Sequence, residues 1–137
     1  MRLFLDSSAL VKRYVLEKGS ETVLQLCSES ADIHLSALTF LESVSAFHLM
    51  KRTKRISPEV YHVMRSDLSA DLQQAEIVPI HPSILESSVI CIDRTGLRAP
   101  DAIQVMTARE SGCELFLTGD EQQAKVAREY GLKVQLV

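Results

Sequence analysis

The chain has 137 residues, 46% hydrophobic and 24% charged, with a formal net charge of −3. That length and balance are those of a globular protein with one core, so disordered and fibrous classes are excluded and one domain over residues 1–137 is expected. The negative charge excludes nucleic-acid binding through bulk positive potential and leaves only a local basic patch for it.

No apolar run approaches the roughly 20 residues that span a bilayer. The N-terminal apolar stretch is cut by Asp6 and then by Lys12-Arg13. Neither secretion nor membrane insertion is expected, and the expected compartment is the cytoplasm. Cys27, Cys91 and Cys113 are odd in number and lack C-x-x-C spacing. Reduced, mostly buried thiols follow, with neither a disulfide framework nor a zinc site. His34, His48, His62 and His81 show no metal-binding spacing.

Residues 2–5 read as a strand that ends in Asp6-Ser7-Ser8, where either serine could cap a helix running to about Val15. Gly19-Ser20 opens a second helix through Val23, Leu24 and Cys27, and Ile33-His34-Leu35 follows as a strand. A helix from Thr39 reaches the basic run Lys51-Arg52-Thr53-Lys54-Arg55. Ser57-Pro58 starts the next, with Val60, Val63, Met64, Leu68 and Leu72 at helical spacing. Ile77-Val78-Pro79-Ile80 reads as a strand at a sheet edge, because proline cannot donate to a ladder.

Helices from Pro82 to Gly96 and from Pro100 to Gly112 come next. Leu115-Phe116-Leu117 then leads as a strand into Thr118-Gly119-Asp120, with Gly119 read as permitting a sharp turn. A helix from Glu121 to Tyr130 and a short strand from Lys133 to Val137 close the chain. About five strands interleaved with about seven helices predict a three-layer α/β/α sandwich on a mainly parallel sheet. The continuously apolar strands at residues 3–5 and 115–117 belong near its centre.

Four acids stand where a strand has just ended or a helix begins: Asp6, Glu42, Asp101 and Asp120. In an open α/β sheet such positions converge beyond the carboxyl ends of the strands, where these folds bind ligands. Each acid alone has a structural explanation. The helix dipole favours an acid in a first turn by roughly 0.3–1 kcal/mol, and Thr39-x-x-Glu42 matches a capping box. Asp6 and Asp120 directly follow buried-looking strands, where a carboxylate needs several hydrogen bonds or a cation. The joint occurrence points to Mg²⁺ or Mn²⁺ held by Asp6, Glu42, Asp101 and Asp120, and to hydrolysis of a phosphodiester. Ser7, Ser8 and Thr118 are candidates for orienting the acids.

The segments Leu-Phe-Leu-Asp6-Ser-Ser-Ala-Leu, Leu-Thr-Phe-Leu-Glu42-Ser, Asp101-Ala-Ile-Gln-Val-Met-Thr-Ala108 and Leu-Phe-Leu-Thr118-Gly-Asp120 resemble the successive motifs of PIN-domain proteins, specifically VapC-type toxins. The resemblance runs almost end to end. It implies a Mg²⁺- or Mn²⁺-dependent endoribonuclease acting on RNA, a homodimer, and inhibition by a VapB-type antitoxin. It places Asp6, Glu42, Asp101 and Asp120 in the acidic site and matches Thr118 to a hydroxyl two residues before the last acid. Gln123 departs from it, since many relatives carry an aromatic or large apolar residue there. An RNA-processing nuclease that is not a toxin carries the same motifs.

Arg98, three residues before Asp101, could draw phosphate to the site, as could Lys12 and Arg13. Lys51, Arg52, Lys54 and Arg55 could hold an RNA backbone, although the dipole also favours bases at a helix C-terminus. A binding module that keeps the fold without catalysis is the rival from another class, and retention of all four acids counts against it. An aspartyl-phosphate enzyme would want an acid where Ser8 stands, and no Walker motif occurs.

Overall fold

The computed structural model describes residues Met1–Val137. In chain order the elements are β1 (Arg2–Leu5), α1 (Ser7–Val11), α2 (Ser20–Glu29), β2 (Asp32–Ser36), α3 (Thr39–Arg52), α4 (Pro58–Leu72), β3 (Glu76–Val78), α5 (Pro82–Thr95), α6 (Ala99–Ser111), β4 (Leu115–Thr118), α7 (Glu121–Glu129) and β5 (Val134–Leu136). The strands form one sheet in the order β3-β2-β1-β4-β5, and every pairing is parallel. The expected sandwich is present, with β1 at the centre and β4 beside it.

Side chains alternate across a strand, and here the alternation sorts the core into two layers. Leu3, Leu5, Leu115 and Leu117 face a cluster completed by Val23, Phe47, Met64 and Leu68, from α2, α3 and α4. Phe4 and Phe116 face the other way, with ring centroids 5.8 Å apart, and pack with Ile84, Val105 and Val126 from α5, α6 and α7. β1 and β4 are buried on both faces, which is why they read as unbroken apolar runs.

Several local expectations change. The helix after Asp6 ends at Val11 rather than Val15. On α4 the buried stripe is Tyr61, Met64 and Leu68, whereas Val60 and Val63 are 45% and 59% exposed. A β-branched residue at helical spacing does not say which side of the helix faces the core, and Tyr61 takes the inward place. β3 is one of the two edge strands, as Pro79 implied, but it stops at Val78, so the proline lies just beyond it. All three cysteines are free, with Cys27 and Cys91 buried.

Gly19 is the glycine the fold depends on most. It has φ +92°, and a Cβ there would lie 2.5 Å from the carbonyl carbon of Val137. Neither the backbone nor the C-terminus leaves room for a side chain. Gly19→Ala is expected to lower stability by about 1–3 kcal/mol, read as a lower urea midpoint at unchanged slope. An unchanged midpoint would show that the C-terminal strand yields freely.

Candidate active site

A parallel sheet brings the carboxyl ends of its strands to one edge. At that edge β1 hands the chain to Asp6, β2 leads into α3 with Glu42 in its first turn, and β4 leads to Asp120 at the head of α7. Asp101 sits in the first turn of α6.

Asp6 is 2% exposed and is itself the N-cap of α1, its Oδ1 accepting from the Ala9 amide at 2.9 Å. The expectation that Ser7 or Ser8 caps this helix is therefore corrected. Ser8 Oγ instead donates to Asp6, 2.8 and 2.9 Å from its two oxygens, and Thr118 Oγ1 donates to Oδ2 at 2.6 Å. Burial pushes the Asp6 carboxyl up to about 6; these hydrogen bonds oppose the rise and the charge of Glu42 adds to it.

The capping box at Thr39 does not form. Leu38 holds the N-cap position of α3, with no side-chain cap, so Thr39 is already inside the helix. Glu42 turns to a different partner set: its Oε1 accepts from Ser7 Oγ at 2.7 Å and from Gln104 Nε2 at 2.8 Å. Gln104, on α6, is 1% exposed. The same nitrogen reaches Ser7 Oγ and Thr39 Oγ1, each at 3.1 Å. One amide thus ties α6 to α1 and α3.

Asp101 and Asp120 form the other half of the site. The Asp101 carboxyl is held above its ordinary value, first by burial and then by the charge of Asp120; Glu42 adds to the rise and Arg98 opposes it. Arg98 Nε lies 3.6 Å from Asp101 Oδ2, and its side chain is 83% exposed. Asp120 Oδ1 caps α7 through the Gln123 amide at 2.8 Å, and Thr118 Oγ1 accepts the Asp120 amide at 3.0 Å. Gln123 is buried, and its Nε2 donates to the Asp101 carbonyl at 3.3 Å. An amide here ties α7 to α6, which an apolar side chain could not do.

All four acids therefore meet at one edge, close enough for Glu42 to perturb both Asp6 and Asp101. They are not packed into a tight cage: no group of three or more His, Cys, Asp or Glu side chains is disposed to hold one ion. Oxygen-only donors and mutual repulsion suit a hard divalent cation, and the side chains would have to move to close the set.

Other expectations change at this edge. Gly119 lies at a bend between β4 and Asp120 but has no positive φ, so the turn does not depend on glycine's left-handed freedom. A Cβ there would come within 3.1 Å of Lys12 Cε and 3.4 Å of Ser8 Oγ, and its amide donates to Ser8 Oγ at 2.8 Å. Lys12 borders the cleft, but its Nζ is engaged by the Lys18 carbonyl at 2.7 Å and Glu17 at 3.3 Å. Arg13 points elsewhere, towards Asp71 at 3.3 Å. Sequence reasoning missed Gln104 altogether. A polar residue inside the apolar stretch from Ala102 to Ala108 was the available signal.

The chain belongs to the PIN-domain family, whose model matches residues 3–129. No curated protein is a significant match to the sequence, whereas solved structures share the fold. A toxin-antitoxin complex from Klebsiella pneumoniae is similar at TM-score 0.66 and 22% identity, over 88% of this chain and 87% of that one. VapC20 from Mycobacterium tuberculosis, described as a sarcin-ricin loop cleaving toxin, gives TM-score 0.69 and 14% identity over 90% and 93%. FitAcB from Neisseria gonorrhoeae gives 0.72 and 19% over 96% and 95%. At these identities the likeness is one of fold. No helix is long and apolar enough to cross a membrane.

Proposed function

We propose that the chain is a Mg²⁺- or Mn²⁺-dependent endoribonuclease, the toxin of a toxin-antitoxin pair, acting as a homodimer inhibited by a VapB-type antitoxin. The observation that carries this reading is the placement of Asp6, Glu42, Asp101 and Asp120 at one sheet edge of a PIN-domain chain, with Asp6 and Asp101 lifted chiefly by burial and further by the charges of their neighbours. The Klebsiella complex and the sarcin-ricin loop cleaving toxin support it by fold.

The four carboxylates would hold the cation. The chemistry that Mg²⁺ or Mn²⁺ supplies when bound is activation of a water and neutralisation of charge at the scissile phosphate. Ser7 and Gln104 pin one oxygen of Glu42 and leave Oε2 for the site. Ser8, Thr118 and the Ala9 amide fix Asp6 in one orientation. Arg98, exposed beside Asp101, attracts the phosphate backbone.

The loose arrangement of the acids favours, as a second reading, an RNA- or protein-binding module without catalysis. Cleavage of a mixed structured-RNA pool separates the two. Purified protein freed of partners is expected to cut with Mg²⁺ or Mn²⁺ and not with EDTA, and Asp101→Asn is expected to lose at least about 100-fold in rate. Well-folded protein that cuts nothing with either metal points to the binding module. Cuts confined to one precursor RNA, without growth arrest on expression, favour an RNA-processing nuclease over a toxin.

A further inference from the structure

One charge cluster is unused by the reading above. Lys51 and Arg52 stand in the last turn of α3, and Lys54 and Arg55 follow at once. None of the four takes part in any of the ion pairs of the protein, although the chain carries 18 acids against 15 lysines and arginines. Lys51 Nζ lies 4.2 Å over the Tyr61 ring, which anchors the base of the cluster. Arg52, Lys54 and Arg55 are exposed. The helix dipole accounts for bases inside the last turn but weakens beyond it.

Lys54 adds an independent observation. It has φ 62° and is the sole non-glycine residue in the left-handed region. Glycine or asparagine takes that conformation with less strain after a helix. Lysine strains the backbone at this turn and keeps a charge at its tip.

Arg52, at the near end of the cluster, is also connected to Glu42. A cleft of about 360 Å³ lined by Ser7, Ser8, Lys12 and Gly119 shares Glu42 and Ala46 with a trough of about 470 Å³ lined by Ser45, His48 and Arg52. Arg52 is ten residues beyond Glu42, or about 15 Å along the helix axis. The strip is the flank of one helix, acidic at its start and basic at its end.

We propose that Arg52, Lys54 and Arg55 form a phosphate-gripping subsite that holds a single RNA strand along α3 and feeds its backbone to the acids. This deepens the nuclease reading and rests on it. A single strand can bend from the basic tip down to Glu42, and unpaired cations are what phosphates a few nucleotides from the cut require. His48 and Ser45 offer hydrogen bonds on the way.

The test is binding of a labelled single-stranded RNA to Asp101→Asn protein in EDTA, across a salt series, with and without Arg52→Gln, Lys54→Gly and Arg55→Gln. Each is expected to weaken binding about 3–10-fold and to lower the salt slope by about 0.7 for every phosphate no longer neutralised. Lys54→Gly is expected to do so with an equal or higher melting temperature, which separates weaker grip on RNA from damage to the fold. Unchanged RNA binding overturns the subsite, as does a loss seen only with duplex DNA or with a protein partner. If the unsubstituted chain still cleaves RNA in those cases, the nuclease reading stands without it. Neither binding nor cleavage of RNA sinks both.

Discussion

Asp6→Asn is expected to abolish metal-dependent cleavage and, in metal-free buffer near pH 7.5, to raise the melting temperature. The carboxyl sits at about 6 against 3.8 for a free aspartate, chiefly because it is buried. Below pH 3.8 the folded and unfolded chains both hold the proton. Between there and about 6 only the folded chain does, so stability from this group falls as pH rises through that window and stays lower above it. The charged form costs roughly 3 kcal/mol at neutral pH by that linkage. Asparagine removes the charge and keeps Oδ1 for the Ala9 amide. Its amide, however, faces Thr118 Oγ1, which already accepts from the Asp120 amide. The net gain is therefore smaller, about 1 kcal/mol, or about 3–5 °C.

A gain of stability with a loss of activity is what a carboxylate kept for function should show, since a residue serving only as a cap would keep both when asparagine, an equally good cap, replaces it. Melting curves between pH 4 and 7.5 test the assignment directly. The unsubstituted protein should lose stability across that range relative to Asp6→Asn, and added Mg²⁺ should recover it only where Asp6 is present. A variant that still cleaves RNA with metal and shows no relative gain in stability as pH rises would make Asp6 a capping residue and nothing more.

The parts of this fold that were legible in the sequence are those set by local pattern. Leu3-Phe4-Leu5 and Leu115-Phe116-Leu117 announce strands buried on both faces, and Pro79 announces an edge. The placement of Asp6, Glu42 and Asp120 beyond the carboxyl ends of β1, β2 and β4 follows from the parallel topology. What local pattern does not hold is the choice among equivalent partners. Asp6, Ser7 and Ser8 can all cap a helix, and the backbone awards the cap to Asp6, freeing Ser7 for Glu42 and Ser8 for Asp6. Thr39-x-x-Glu42 has the spacing of a capping box, yet α3 begins one residue early and a glutamine 62 positions away in sequence takes Glu42 instead. Gln123, a departure from the family pattern, has its reason in the Asp101 carbonyl, which only the folded chain brings near.

Gln104→Leu carries the second large effect. Gln104 Nε2 has two protons for three oxygens, and the shortest of the three distances, 2.8 Å, is to Glu42. Leucine fills the same volume without a donor, so Glu42 is held by Ser7 alone and swings away from the orientation shared with Asp101. Loss of such an orienting partner is expected to lower the cleavage rate by about 10–100-fold. The buried Thr39 hydroxyl also loses its partner, a cost of about 1–3 kcal/mol in stability. Stability alone cannot distinguish a positioning role from ordinary core packing, but a double-mutant cycle does. If Gln104 acts through Glu42, then Glu42→Gln combined with Gln104→Leu cleaves no more slowly than Glu42→Gln alone. Rates that multiply would mean that Gln104 serves the core and that Glu42 keeps its place without it.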